Sequence, residues 1–328
     1  METKDEFVIE IEDLVKRFGG QTVLDGINLK IRPGETMVIM GGSGCGKSTL
    51  LRHMVGSLHP DEGCVKLFGN VLADMSESEL DETRKQFGIL FQSGALFQSL
   101  SVGDNVSLIL EEHTDLDAAI IDFMVKIKLE LVDLREAAHK FPAQISGGMK
   151  KRAGLARALA LDPKILFYDE PSAGLDPVTS ASIDRLIIDL TRKLGVASVV
   201  VTHEMDSAFE IADRMAMLHK GRVLMLDDTE AFEKLRDWPQ DRLEELDEDH
   251  QLIRQFLRGD AEGPLTEDTD GESSYAADLL GIDNSKLTGG RSIQTTRRVP
   301  IPGKSNGFLK RLIPGGSRTS SKQGQSNS

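Results

Sequence analysis

A glycine-rich stretch that ends in a lysine and two hydroxyl residues carries the residue types that bind phosphate; it reads Gly41-Gly42-Ser43-Gly44-Cys45-Gly46-Lys47-Ser48-Thr49. Glycines allow backbone N–H groups to converge on phosphate oxygens without clashes from Cβ atoms. Lys47 would reach the β- and γ-phosphates of a nucleotide, and the Ser48 hydroxyl would ligate Mg²⁺. An apolar run at 37–40 precedes the stretch and a helical pattern at 50–55 follows it, as this motif requires. We therefore interpret 41–49 as a phosphate loop rather than as a flexible connector with a chance lysine.

Two adjacent carboxylates follow a second apolar run. The run spans 165–168 and leads directly into Asp169 and Glu170. Paired acids at the end of a buried strand cost free energy unless cations or hydrogen bonds meet them. Asp169 is placed to hold Mg²⁺ through its hydration shell. Glu170 is placed as the base that orients and polarises an attacking water.

Two further polar side chains follow apolar strands. Gln92 comes after 87–91, and His203 comes after 196–201. Open α/β sheets bind ligands at the carboxyl ends of their strands, so both side chains are expected beside the phosphate loop. We interpret His203 as a γ-phosphate sensor, although a histidine at this position can also be a structural hydrogen-bonding residue.

A second anion site is predicted at Ser146-Gly147-Gly148, which precedes a predicted helix at 150–161. The N–H groups and dipole at a helix start favour anions. A serine N-cap with a flexible lead-in is the alternative. One nucleotide pocket needs only one such helix start, so the second is free to serve a neighbouring molecule.

The elements that position these residues alternate between strand and helix. Strands are predicted at 7–14 and 23–31, and a mostly helical block covers about 93–145. The run at 196–201 is apolar apart from Ser198, which is typical of a parallel sheet covered on both faces. The sequence therefore predicts an α/β fold over 7–237, with an antiparallel β part at the amino end and a helical subdomain.

Composition excludes several classes of protein. The chain has 328 residues, 39% of them hydrophobic and 28% charged, and a formal net charge of -14, which argues against binding nucleic acid through a broad basic face. No stretch approaches the ~20 apolar residues needed to span a bilayer, and the amino terminus lacks the layout of a signal peptide. The two cysteines, Cys45 and Cys64, form no disulfide framework. Cys45 is expected to be inert, since no histidine lies near it in sequence.

The carboxy-terminal part differs from the rest of the chain. A helical extension is predicted at 238–259, and its apolar residues (Leu252, Ile253, Phe256 and Leu257) fall on one face. This face would dock on its own domain, on a dimer mate or on an accessory subunit. Residues 260–328 are rich in Gly, Ser, Thr and Pro, which predicts disorder. After Asp283 all charged residues are basic, so a solvated tail or a contact with anionic lipid is expected.

The order of these motifs over about 7–237 resembles that of ATP-binding cassette (ABC) ATPases. The resemblance rests on an A-loop aromatic (Phe18), a Walker A loop (41–49), a Q-loop (Gln92), a signature (145–149), a Walker B pair (Asp169, Glu170), a D-loop ending at Asp176 and an H-loop (His203). It implies that Phe18 stacks on adenine, that Ser48, Gln92 and Asp169 manage Mg²⁺, and that Lys47, Glu170 and His203 carry out ATP hydrolysis. The signature has Ile145 and Met149 where Leu and Gln are common, but its Ser-Gly-Gly is intact.

Local segments indicate a subfamily. Residues 90–97, 146–157 and 255–259 are similar to the ATPase subunit of Mla-type, MCE-associated phospholipid transporters. This resemblance implies a peripheral protein on the cytoplasmic face of the inner membrane. It also implies a homodimer that sandwiches two ATP molecules. The expected partners are an integral membrane permease, an MCE-type substrate-binding protein and a small accessory subunit. The alternatives are an ABC ATPase of another transporter and a mechanical or regulatory ABC ATPase.

Overall fold

A computed structural model describes residues 7–261 and 263–267 of the chain. The strands are β1 (Ile9–Phe18), β2 (Gln21–Ile31), β3 (Thr36–Met40), β4 (Glu62–Leu67), β5 (Asn70–Val71), β6 (Phe87–Leu90), β7 (Ile165–Asp169), β8 (Ala197–Val201), β9 (Arg214–His219) and β10 (Arg222–Asp228). The helices are α1 (Lys47–Met54), α2 (Glu77–Arg84), α3 (Val102–His113), α4 (Ala118–Leu131), α5 (Gly147–Ala158), α6 (Pro177–Leu194), α7 (Met205–Ile211), α8 (Thr229–Arg236), α9 (Glu248–Arg258) and α10 (Pro264–Glu267).

The larger sheet is mainly parallel and has the order β10-β9-β3-β8-β7-β6. All pairs are parallel except β9 with β10. Every residue of β3 and β8 is buried, because helices or the second sheet cover both faces. This confirms the parallel sheet predicted from the apolar runs.

The smaller sheet is antiparallel and has the order β2-β1-β4-β5. A tight turn at 19–20 joins β1 to β2. The inward side chains of this sheet, among them Ile9, Leu14 and Leu29, lie in one apolar cluster with residues of β3 and α1. The antiparallel part predicted at the amino end is therefore confirmed, and it packs directly behind the phosphate loop.

Helices α3 and α4 form the block that sequence patterning predicted to be helical. Ser101 caps α3 by accepting from the Asp104 amide, and the Asp104 side chain accepts from the Ser101 amide in return. Buried residues of both helices, including Val106 and Val125, lie in one apolar cluster with residues of α5. The subdomain bounds of 93–145 remain a prediction.

Helix α9 packs on its own chain, which is the first of the alternatives considered for this extension. Ile253 and Leu257 are buried in the same cluster as Phe232 of α8. The Arg254 guanidinium is buried and donates from Nε to the Trp238 carbonyl at 2.9 Å. The extension thus adds to the core of the α/β unit.

The segment predicted to be disordered begins at 260, but its first residues are folded. The Asp260 carboxylate lies 3.2 Å from Arg258 Nε, and the Leu265 amide donates to Gln255 Oε1 at 2.7 Å. These contacts tie the start of α10 to α9, which composition alone did not indicate. The rest of the predicted tail lies outside the described residues. Within the described part of the chain, no helix has the length and apolarity to cross a bilayer.

Candidate functional site

Four parallel strands end together at one edge of the larger sheet. Cα register pairs Ile39 with Val201, Asp169 with Val201, and Leu90 with Tyr168. The segments that follow these strands therefore start side by side: the phosphate loop after β3, Glu170 after β7, His203 after β8, and Gln92 after β6. The structure places these predicted site residues at the expected edge.

Backbone geometry explains the glycines of the phosphate loop. Gly41 has φ 151°, and a Cβ there would lie 2.1 Å from the Leu218 carbonyl oxygen. Gly46 has φ 111° and caps α1 without a side-chain hydrogen bond, so the first N–H groups of α1 remain available to an anion. Lys47 Nζ donates to the carbonyls of Gly41 and Gly42 at 2.7 and 2.9 Å. The loop is thus shaped to present backbone donors and an ammonium group to phosphate.

Cys45 is buried in this loop, and burial raises the pKa of its thiol, an effect that the nearby Lys47 charge partly offsets. A protonated, enclosed thiol is a poor nucleophile. Cys64 is also free. The burial of Cys45 and the raised pKa of its thiol agree with the prediction that this residue is chemically inert.

Glu170 adopts an unusual backbone conformation directly after β7. Its φ is 49°, a left-handed conformation that costs a non-glycine residue about 1–2 kcal/mol. Its Oε1 lies 2.9 Å from His203 Nδ1, whereas Oε2 is buried and has no hydrogen-bond partner among the described residues. A buried carboxylate oxygen of this kind requires a donor. The geometry therefore suits an oxygen that accepts a hydrogen bond from an attacking water.

Asp169 is half-buried at the end of β7. Burial, and then the neighbouring Glu170 charge, raise the pKa of its carboxyl group; Lys151, Arg52 and Lys47 act in the opposite direction. A divalent cation would supply further positive charge at this position. The described residues contain no cluster of three or more His, Cys, Asp or Glu side chains that could hold a metal ion. Mg²⁺ usually takes one or two protein oxygens, substrate phosphates and water, so a single carboxylate such as Asp169 near the phosphate loop fits this ion.

The signature turn packs against the start of α6 in its own chain. Ser146 Oγ caps α5 by accepting from the Met149 amide at 3.3 Å. A Cβ on Gly148 would lie 2.4 Å from Thr179 Cγ2. Helix α5 starts at Gly147, three residues before the predicted start, because Ser146 serves as its cap. Within the described residues, no hydrogen bond or ion pair joins 146–148 to the phosphate loop of the same chain.

Phe18 ends β1 and leaves 47% of its side chain exposed. The Lys16 ammonium lies 5.4 Å from the ring centroid. An exposed ring flanked by a cation suits stacking on a flat, electron-rich ligand. Gln92 is also exposed, in the turn after β6, where its amide is accessible to a ligand.

Comparisons with known proteins agree with this site. The family model described as ABC transporter matches residues 24–173. A probable ribonucleotide transport ATP-binding protein, mkl, of Mycobacterium leprae is 39% identical over 284 residues, which are 86% of this chain and 78% of that protein. The intermembrane phospholipid transport system ATP-binding protein MlaF of Escherichia coli K12 is 39% identical over 265 residues, which are 81% of this chain and 94% of MlaF. The chain belongs to the ABC transporter family.

Solved ABC structures have the same fold. The ATP-binding cassette MJ0796, in a dimeric post-hydrolysis state bound to ADP and Pi, matches with a TM-score of 0.62 and 30% identity, covering 67% of this chain and 98% of that one. The protein cbiO1 of Clostridium perfringens, part of the ABC transporter complex cbiONQ, matches with a TM-score of 0.67 and 28% identity, covering 76% of this chain and 99% of that one. As an ABC ATPase, the chain binds ATP with Mg²⁺ and hydrolyses it.

Sequence reasoning missed two cations that the ABC fold brings to this site. Lys151 and Arg52 are the first two positive charges that act on Asp169. Lys151 lies in the run Lys150-Lys151-Arg152, which resembles a solvated helix face. Lys151 lies five residues after Ser146, and this spacing does not reveal that its side chain is buried, because burial depends on how α5 packs against β6 and α6.

Proposed function

We propose that the protein hydrolyses ATP as a homodimer in which each ATP lies between the phosphate loop of one copy and the signature turn of the other. Support comes from the signature turn, which offers a helix N-terminus yet packs on α6 rather than on its own phosphate loop. Two solved structures of the cassette MJ0796 are dimeric. A second copy would complete the anion site.

The proposed roles follow from the position of each side chain. Lys47 and Ser146 neutralise charge on the γ-phosphate, and His203 holds it. Ser48, Gln92 and Asp169 hold Mg²⁺, which polarises the phosphates when bound. Phe18 stacks on the adenine ring. Glu170 orients the attacking water and accepts its proton.

One observation carries this assignment for Glu170. Its carboxylate has one oxygen fixed by His203 and one oxygen buried without a partner. Most buried carboxylate oxygens have a donor, and this one lies at the sheet edge where the phosphate loop begins. The arrangement leaves a single acceptor for the water that attacks the γ-phosphate.

The proposed cargo is phospholipid, carried through a membrane permease with the ATPase on the cytoplasmic face of the inner membrane. The basis is the match to 94% of the length of MlaF, named as part of an intermembrane phospholipid transport system. An MCE-type substrate-binding protein and a small accessory subunit belong to the same proposal. Ribonucleotide transport is the second candidate, since mkl is equally identical over a longer stretch.

A groove beside the Q-loop is the proposed permease contact. It has a volume of about 1000 Å³, and Phe91 and Phe97 on its rim are 43% and 51% exposed. Exposed aromatic side chains grouped around a groove are typical of protein-binding surfaces. Phe97→Asp should abolish co-purification with the permease, whereas Phe123→Asp, on the exposed face of α4, should preserve it. Equal recovery with both variants would contradict this contact.

The cargo is tested on the complex purified with its own membrane partners. We expect phospholipid to co-purify and to stimulate ATP turnover when added back, and ribonucleotides to have no effect. Stimulation by ribonucleotides without lipid would favour the second candidate. Turnover that responds to neither would contradict both.

A further inference from the structure

A buried lysine outside the predicted site touches the backbone of Glu170. Lys151 lies on α5, one turn beyond the signature turn, and only 5% of it is exposed. Its Nζ donates to the Glu170 carbonyl at 2.8 Å. Asp169, Glu170 and Glu204 all attract this ammonium group. Burying an ammonium group is costly, so such a contact needs strong compensation.

The contact is one of four that restrain this residue. The Glu170 amide donates to the Val201 carbonyl at 2.9 Å, and its side chain contacts His203. Its carbonyl accepts from Lys151 and, at 3.4 Å, from the Ala173 amide. Glu170 has the left-handed φ of 49°, a conformation that persists only when surrounding groups enforce it. Of these four contacts, only the one from Lys151 comes from a helix that also carries an anion-binding turn.

We propose that Lys151 is a positioning residue that links the signature turn to the catalytic base of the same chain. Helix α5 is a single rigid element of 12 residues, so a shift of its N-terminus toward a nucleotide moves Lys151 with it. Lys151 then sets the direction of the Glu170 carbonyl and, through the backbone, that of the carboxylate. This proposal rests on the composite dimer site proposed above. Through Lys151, ATP held by the signature turn at one nucleotide site of the dimer affects the base at the other nucleotide site.

Lys151→Met is the first test, in the full chain with its partners. We expect kcat to fall about 10- to 100-fold, the size expected when a catalytic group is misplaced, while the KM for ATP stays within about threefold. Lys151→Arg keeps a charged donor and should recover most of the loss; Lys151→Gln should recover less. The Hill coefficient for ATP should fall toward one in Lys151→Met, since the two sites lose their link.

Lys128→Met is the matched control. Lys128 is also buried, at 4% exposure, and its ammonium pairs with Asp162 rather than with the site. We expect this variant to lose stability but to retain kcat and cooperativity. A purely structural role for Lys151 predicts that both variants lose activity only in proportion to the unfolded fraction, and this result would overturn the proposal. An unchanged kcat in Lys151→Met would also overturn it.

A third variant separates this proposal from the one on which it rests. Glu170→Gln should abolish turnover whether or not Lys151 acts as proposed. If Glu170→Gln is inactive and Lys151→Met is fully active, only the link through Lys151 is wrong. If Glu170→Gln retains turnover, the assignment of Glu170 as the base is wrong, and the positioning role of Lys151 falls with it.

Discussion

The packing around Gly148 leaves no room for a side chain. We therefore predict that Gly148→Ala destabilises the protein and that a second substitution restores the stability. An added Cβ would lie 2.4 Å from Thr179 Cγ2, so Gly148→Ala forces α5 and α6 apart. Overpacking of this kind costs about 1–3 kcal/mol, and replacing glycine by alanine within a helix returns up to about 1 kcal/mol. We expect Gly148→Ala to reduce the free energy of unfolding by about 1–2 kcal/mol.

Thr179→Ser removes only the clashing methyl group. It retains the hydroxyl that donates to Asp176 Oδ2 at 2.6 Å, so this single change should cost less than about 1 kcal/mol. In the double variant the clash is absent, and stability should return to the wild-type value or exceed it slightly. The two changes should therefore be coupled by about 1–3 kcal/mol.

The assay is urea unfolding of the four proteins, followed by circular dichroism, together with ATP turnover. We expect the double variant to regain stability but not turnover, because its added methyl group still obstructs the γ-phosphate proposed to bind at Gly148. Additive stability changes, within about 0.5 kcal/mol, would refute the contact with Thr179. Full turnover in the double variant would refute the role of Gly148 in binding phosphate.

Three further predictions concern single side chains. Glu170→Gln should keep ATP binding and hold the ATP-bound dimer together; turnover within about tenfold of wild type would refute Glu170 as the base. Burial raises the pKa of Asp184, so the carboxylate is less stable in the folded than in the unfolded protein, and its contribution to stability falls as pH rises above about 4. The free energy of unfolding of Asp184→Asn, measured in urea and taken relative to wild type, should therefore increase from pH 4 to pH 8. A difference that stays constant over this range would contradict the direction of the pKa shift. Phe18→Ala should weaken ATP binding by about 1–3 kcal/mol in calorimetry and Phe18→Trp should not; equal affinities would exclude stacking.

Helix ends with strong local signals were predictable from the sequence. Helix α6 spans Pro177–Leu194 because Pro at its first position follows the Asp176 cap and Gly195 ends it with φ 66°. The start of α5 was predicted three residues late. Ser146 serves both as a helix cap and as a candidate anion ligand, and local sequence does not distinguish these uses.

The positions of the site residues were predictable because parallel strands share one edge. Glu170 and His203 were expected at this edge because each follows an apolar run. Glu170 Oε1 lies 2.9 Å from His203 Nδ1. The left-handed backbone of Glu170 and the contact from Lys151 were not predictable. The Lys151 contact depends on how α5 packs in the fold, chiefly against β6, and a lysine beside two other cations is typical of an exposed helix face. The Glu170 conformation depends on the groups that surround the turn after β7.

The strained backbone of Glu170 suits the role of base proposed for it. A left-handed φ at Glu170 turns the chain sharply after Asp169, so two adjacent carboxylates at the end of β7 can face different partners. The positive charges of Lys151, Arg52 and Lys47 act on Asp169. The Glu170 carboxylate contacts His203. An extended backbone would place the two side chains on opposite faces of the strand. The strain is therefore the cost of keeping a candidate metal ligand and a candidate base at one edge, and the contacts from β8, His203 and α5 hold it in place.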